Sequence, residues 1–175
     1  MNNRMTRVAS LLAALTLGFA PAAQAQQAAP SSLSVTYQDW TVRCASVEGQ
    51  AGQVCEMVQD LNQADTGRRV LSVLIRQAEG ETGLTLVTPF GLKLSEGVKL
   101  GVDGTELTTL DYETCLPSGC IAALVLSEPQ IESLQAGAEA QVTLVDTAGQ
   151  DLSLTLSLAG FSGALTRLGQ ECCGS

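Results

Sequence analysis

The chain has 175 residues, with 18 acidic side chains against nine basic ones and no histidine. A formal charge of −9 without a basic cluster argues against nucleic acid and anionic lipid surfaces as partners. The missing histidine excludes Ser-His-Asp and Cys-His catalysis, histidine metal sites and histidine pH switching.

The N-terminus reads as an address rather than as structure. Arg4 and Arg7 precede an apolar stretch from Val8 to Ala20, and Ala23-Gln24-Ala25 forms an A-x-A cleavage site. This order predicts a secretion signal over residues 1–25 and a mature start at Gln26. The apolar stretch is shorter than the roughly 20 residues of a membrane span, so the mature chain is expected to carry no integral membrane segment. All 18 acidic residues but only seven basic ones follow the cut, which leaves a formal −11. The remaining length suffices for one domain with a core, expected over residues 33–169.

Residues 26–32 are Gln/Ala/Pro/Ser-rich and read as a disordered leader. From Leu33 the pattern has period two. Val35 and Tyr37 alternate with polar residues, and Trp40, Val42 and Cys44 do so again after a shift at Asp39, so one bent strand or two short ones are expected. Val54 to Asp60 is the partner strand after a Gly- and Gln-bearing turn. Val70 to Ile75 is strongly apolar and reads as a central strand, and Leu84 to Thr88 runs back before Pro89. Val98–Val102 and Leu107–Leu110 flank Asp103-Gly104, a hairpin signal.

Cys115-Leu-Pro-Ser-Gly-Cys120 is a small loop feeding the apolar run Ile121 to Leu126, which predicts a strand buried on both faces. Ser127 with Gln130 forms a capping box with proline in the first turn, so a short crossover helix with Ile131 and Leu134 on one face should follow, ending near Gly137. Ala140–Asp146 is a strand. Leu152, Leu154, Leu156 and Leu158 alternate with polar residues, the pattern of a strand wet on one side. Phe161, Ala164, Leu165 and Leu168 recur at helical spacing and predict a C-terminal helix of about two turns before Gly169, with a flexible tail over 170–175. About nine short strands and two short helices predict an all-β sandwich.

Export places the six cysteines in an oxidising compartment. Six cysteines allow about fifteen pairings. Proximity favours Cys44 with Cys55 and Cys115 with Cys120. A redox pair is a competing reading, but redox motifs space their cysteines C-x-x-C at a helix start. A four-cysteine zinc site would want C-x-x-C knuckles, which are absent. Cys172-Cys173 remain as candidate free or reactive thiols. Adjacent cysteines bridge each other only with strain, so they could pair with another chain, bind a thiophilic metal, or have no function.

Other constellations are better explained by structure. Asp65, Asp103 and Asp111 lie beside turn residues without calcium-loop spacing. Glu79 and Glu81 sit in a Gly-bearing turn, and Arg68-Arg69 is too small a patch for a polyanion. Trp40 reads as a sandwich core plug beside a disulfide.

The ordered set Asp39-Trp-Thr-Val-Arg-Cys44, Cys55-Glu56, Gln59, Thr88-Pro-Phe-Gly-Leu92, Gly97-Val98, Asp103-Gly104, Cys115, Gly119-Cys120, Ala122, Leu158-Ala-Gly-Phe161 and Ala164-Leu165 resembles the invasion-associated locus B family of secreted bacterial envelope proteins. The resemblance implies an immunoglobulin-like β-sandwich in the periplasm, with outer-membrane association as a further option. It also implies the pairings Cys44–Cys55 and Cys115–Cys120, and carries over no catalytic residue and no cofactor. The Cys172-Cys173 tail departs from the family pattern. The leading expectation is a non-catalytic binding or structural module with an envelope protein as partner. The alternatives are a thiol-disulfide or metal-handling factor using Cys172-Cys173, and a surface factor contributing to host-cell invasion.

Overall fold

The computed structural model describes residues 32–47 and 53–173. The expected signal (1–25), all of the leader but Ser32, and the middle of the turn after Ser46 lie outside the described residues.

Eleven strands are described: β1 (Ser32–Tyr37), β2 (Trp40–Ser46), β3 (Gln53–Asn62), β4 (Arg69–Ala78), β5 (Glu81–Thr88), β6 (Val98–Val102), β7 (Thr105–Leu110), β8 (Tyr112–Leu116), β9 (Gly119–Val125), β10 (Glu139–Val145) and β11 (Asp151–Ser157). Two α-helices accompany them, α1 (Glu128–Ala136) and α2 (Phe161–Cys173), with one turn of 3-10 helix at Leu94–Glu96. The strands form a seven-stranded sheet ordered β1-β2-β3-β4-β5-β9-β8 and a four-stranded sheet ordered β11-β10-β6-β7. Every pairing is antiparallel. The all-β sandwich with two short helices is therefore as expected.

The shift at Asp39 is a two-residue hairpin turn, with Tyr37 opposite Trp40 and Gln38 at φ 50°. Asp103-Gly104 turns β6 into β7. Val70–Ile75 lies within β4, the middle strand of the large sheet. α1 carries the chain from the large sheet to the small one. Gln130 accepts a hydrogen bond from the Ser127 N–H at 2.8 Å, and Leu134 is buried. Gly137 closes this helix with an ordinary φ of −76°. Space is what it supplies, since a Cβ there would stand 2.3 Å from Val102 Cγ1.

The core lies between the sheets. Val73, Ile75, Leu84 and Leu86 meet Leu100, Val142 and Leu156, and Trp40 and Phe161 close one end. The rings of Trp40 and Phe161 meet edge to face at 5.2 Å, so the partner of the tryptophan plug is α2.

Three features differ from the sequence reading. The apolar run after Cys120 is not buried on both faces. Cys120 and Ala122 point into the core, whereas Ile121 and Ala123 are half-buried on the outer face and Val125 is 56% exposed. No second layer lies on that face among the described residues. The short β8 was not anticipated, because an edge strand paired on one side needs little apolar patterning. Finally, α2 continues through Gly169 to Cys173. Leu168 is fully buried, an Arg167–Glu171 ion pair spans the last turns, and Gly169 sits where a Cβ would come within 3.1 Å of the Gln77 side chain. The glycine thus lies within the helix, beside the Gln77 side chain, instead of ending it.

Candidate functional site

The structure first separates scaffold from surface. One seam ties the two sheets together. The Trp40 indole N–H donates to the Ser157 carbonyl at 3.0 Å, and the Gln59 amide donates to the same carbonyl and to that of Asp39. The Ser157 hydroxyl donates to the Asp39 carboxylate at 2.6 Å, and the Asp39 N–H donates to the Ala159 carbonyl. Gly160, at φ 87°, lies against the Tyr37 carbonyl, where a Cβ would stand at only 1.9 Å. Asp39, Trp40, Gln59 and Leu158–Phe161 are thus far apart in sequence and together in space, in a structural role.

A second seam surrounds the small cysteine loop. Cys115 and Cys120 face each other across β8 and β9 and are disulfide-bonded. The Thr88 hydroxyl lies within hydrogen-bond distance of both the Cys120 carbonyl and the Tyr112 hydroxyl. Burial raises the Tyr112 pKa, with the Thr88 hydrogen bond opposing it. Gly119 has φ 137° and no room for a Cβ, because the Thr88 carbonyl would lie 2.3 Å away. Cys44 and Cys55 form the other disulfide directly across β2 and β3. The two bridges lie on separate strand pairs with β4 and β5 between them, and they form no common cluster.

The remaining candidates scatter. The Asp103 carboxylate accepts from the Ala138 and Glu139 N–H groups, a turn-capping role. Glu79 and Glu81 are exposed on the β4–β5 turn, and Arg69 donates to the Ser118 carbonyl. Cys172 and Cys173 fall in the last turn of α2, and their side chains lie outside the described residues. Among the described residues no group of three or more Cys, Asp or Glu side chains is arranged to hold a metal ion.

What the fold leaves open is the outer face of the seven-stranded sheet. Register fixes its rows. One row reads Thr36, Thr41, Val58, Leu74, Thr85 and Ala123 across six strands. The next reads Asp60, Ser72, Val87, Ile121 and Thr114. Together they make a mixed face, with Val58, Leu74, Ala123, Val87 and Ile121 set among threonines, Ser72 and Asp60. On the other side of the first row, Arg43, Glu56 and Arg76 stand abreast on β2, β3 and β4. Arg43 Nε donates to Glu56 Oε1 at 2.7 Å, and Arg76 Nε donates to Glu56 Oε2 at 2.8 Å. The Nη2 groups of both arginines also contact the carboxylate. Glu56 is only 8% exposed. Burial alone would raise its pKa, but hydrogen bonds and charge from Arg76 and Arg43 outweigh it and hold the carboxyl below the ordinary glutamate value.

Sequence reading placed Arg43 and Glu56 within the resemblance motifs without pairing them. A signal was present. If Cys44 bridges Cys55 directly across a hairpin, the preceding Arg43 must face the following Glu56. Arg76 joins only through the register of β4, which no local pattern gives.

This arrangement defines a class: a two-disulfide, antiparallel β-sandwich with an uncovered sheet face and an arginine-clamped glutamate. Within that class the family is given by sequence. The family model described as "Invasion associated locus B (IalB) protein" matches residues 40–169, and the chain belongs to this family. It is 39% identical over 140 residues to an Invasion protein B homolog of Brucella abortus, covering 79% of this chain and 80% of that protein. It is 32% identical over 143 residues to Invasion protein B of Bartonella bacilliformis, covering 79% and 75%. The crystal structure of invasion associated protein b from Bartonella henselae superposes with a TM-score of 0.70 at 31% identity, over 78% of this chain and 94% of that one.

Proposed function

We propose that this protein is a non-catalytic, periplasmic binding module of the bacterial envelope, working through the outer face of its seven-stranded sheet. The observation that carries the reading is that open face, where Leu74, Val87 and Ile121 remain partly exposed under no second layer among the described residues, around a buried Val58. Stapled hairpins suit it, because cystines persist outside the reducing cytosol. Reactive chemistry finds little support. The most buried carboxylate, Glu56, is held ionised by two guanidinium groups, the opposite of the raised pKa a general acid needs. No described helix is long and apolar enough to cross a membrane.

The test is a photo-crosslinking residue at Thr85, in the middle of this face, in intact cells. A discrete adduct from Thr85, absent when the probe stands at Thr155 on the small sheet, is the expected result. Equal smears from both positions would sink the reading. The names of the Brucella and Bartonella relatives favour a second reading, in which the same face serves host-cell invasion. That reading requires the protein on the cell surface, and degradation by protease added to intact cells is its expected outcome.

A further inference from the structure

We propose that the groove beside Arg43, Glu56 and Arg76 binds an oxyanion carried on an apolar chain, that is, a carboxylate or phosphate amphiphile. The inference rests on the outer face being the working surface and adds the ligand class.

Three observations carry it. The first is donor count. A guanidinium has about five N–H donors, and each of these two arginines spends only its Nε and Nη2 groups on Glu56. Among the described residues the Nη1 groups have no partner. The Arg43 and Arg76 side chains are 51% and 59% exposed, so these donors face solvent. Two cations on one carboxylate leave a local excess positive charge on a chain of net −9. The clamp holds both forks in place before any ligand arrives.

The second is what the triad replaces. In the adjoining row the same strands place Val58 and Leu74. Both guanidinium groups are more than half exposed, and exposed ion pairs add little to stability, so sheet stability alone does not account for three charges in this row.

The third is the neighbouring space. An open groove of about 400 Å³ runs from the triad towards β1, walled by Ala45, Val47 and Val54 with Ser34 at its side. Its volume lies within the roughly 300–1,000 Å³ range of ligand sites. Apolar walls leading away from two guanidinium groups match a head that is anionic and a tail that is not.

The probes are laurate and dodecyl phosphate below their micelle-forming concentrations, with acetate and inorganic phosphate as head-only controls. Oxidised mature protein is titrated by calorimetry, and backbone and arginine Nε resonances are followed by NMR. One amphiphile per chain should bind, at least tenfold tighter than the head-only controls. Shifts should be confined to Ser34, Ala45, Val54 and the two arginine Nε groups. Arg43→Gln and Arg76→Gln should each weaken binding by about tenfold or more. Should either fail to fold, Arg43→Lys and Arg76→Lys keep the charge, lose the fork and should still weaken it severalfold. Val54→Asp should abolish amphiphile binding.

Unsaturable binding, affinity indifferent to both arginines, or binding of hexaglutamate in preference to the amphiphiles would each overturn the proposal. Vesicles of phosphatidylcholine with and without phosphatidylglycerol separate the sources. Arginine-dependent sedimentation with the anionic vesicles identifies a lipid headgroup, and binding of the monomeric amphiphile alone identifies a free acid. Thr85 adducts that persist when amphiphile binding fails would remove the groove and leave the module reading intact. Amphiphile binding without Thr85 adducts would do the reverse.

Discussion

Removing the Cys44–Cys55 bridge should cost more than removing Cys115–Cys120, and the difference follows from loop length. The first closes a sequence separation of 11 residues and the second one of 5. In the chain-entropy account these loops constrain the unfolded chain by about 3 and about 2 kcal/mol. Context widens the gap. Cys44 and Cys55 are both buried on the face that packs against the core, whereas of the second pair Cys120 is buried and Cys115 exposed, so Cys44→Ala/Cys55→Ala removes more buried sulfur. Cys115–Cys120 closes a hairpin whose turn is already held by the Leu116–Gly119 pairing and by Thr88. Urea unfolding of the two double variants, followed by far-UV circular dichroism, gives both values. We expect losses of about 3–4 and about 2 kcal/mol, adding nearly linearly when combined, because the sites share no partner. A larger loss for the shorter loop, or none for either, would refute loop closure as the source of the stabilisation.

Three further outcomes are expected. Glu56→Gln should destabilise by about 1–2 kcal/mol, a value discounted for the half-exposed arginines. Because the Glu56 pKa is depressed in the folded state, its contribution is complete above the ordinary glutamate pKa and is lost as pH falls through the folded value. The stability difference between wild type and Glu56→Gln should therefore be flat above about pH 6 and shrink below about pH 4.5 in acid titrations of urea midpoints; a difference that grows on acidification would contradict the sign. Phe161→Ala, which strips the edge-to-face partner from Trp40 and the first anchor of α2, should cost about 3–5 kcal/mol by denaturant melting and shift Trp40 fluorescence to the red. Gly160→Ala meets the Tyr37 carbonyl and should prevent folding or lower the melting temperature steeply, whereas Gly149→Ala, with open space around its Cβ, should cost only about 1 kcal/mol of backbone strain.

The sequence by itself determined the elements that depend on near neighbours. The alternation through Trp40–Cys44 and Leu152–Leu158, the Asp103-Gly104 turn and the Ser127–Gln130 cap each express a local preference, and each appears in the structure. Only the tertiary structure decided what shares a face. Whether Ile121 and Val125 are covered depends on which sheet face receives the second layer, and the continuation of α2 past Gly169 goes with the burial of Leu168 against the sheet. The clamp of Glu56 by Arg43 and Arg76 likewise arises from the register of three strands. Register is settled by the burial of a whole sheet, so residues that are ordinary surface charges in sequence become a site once it is fixed.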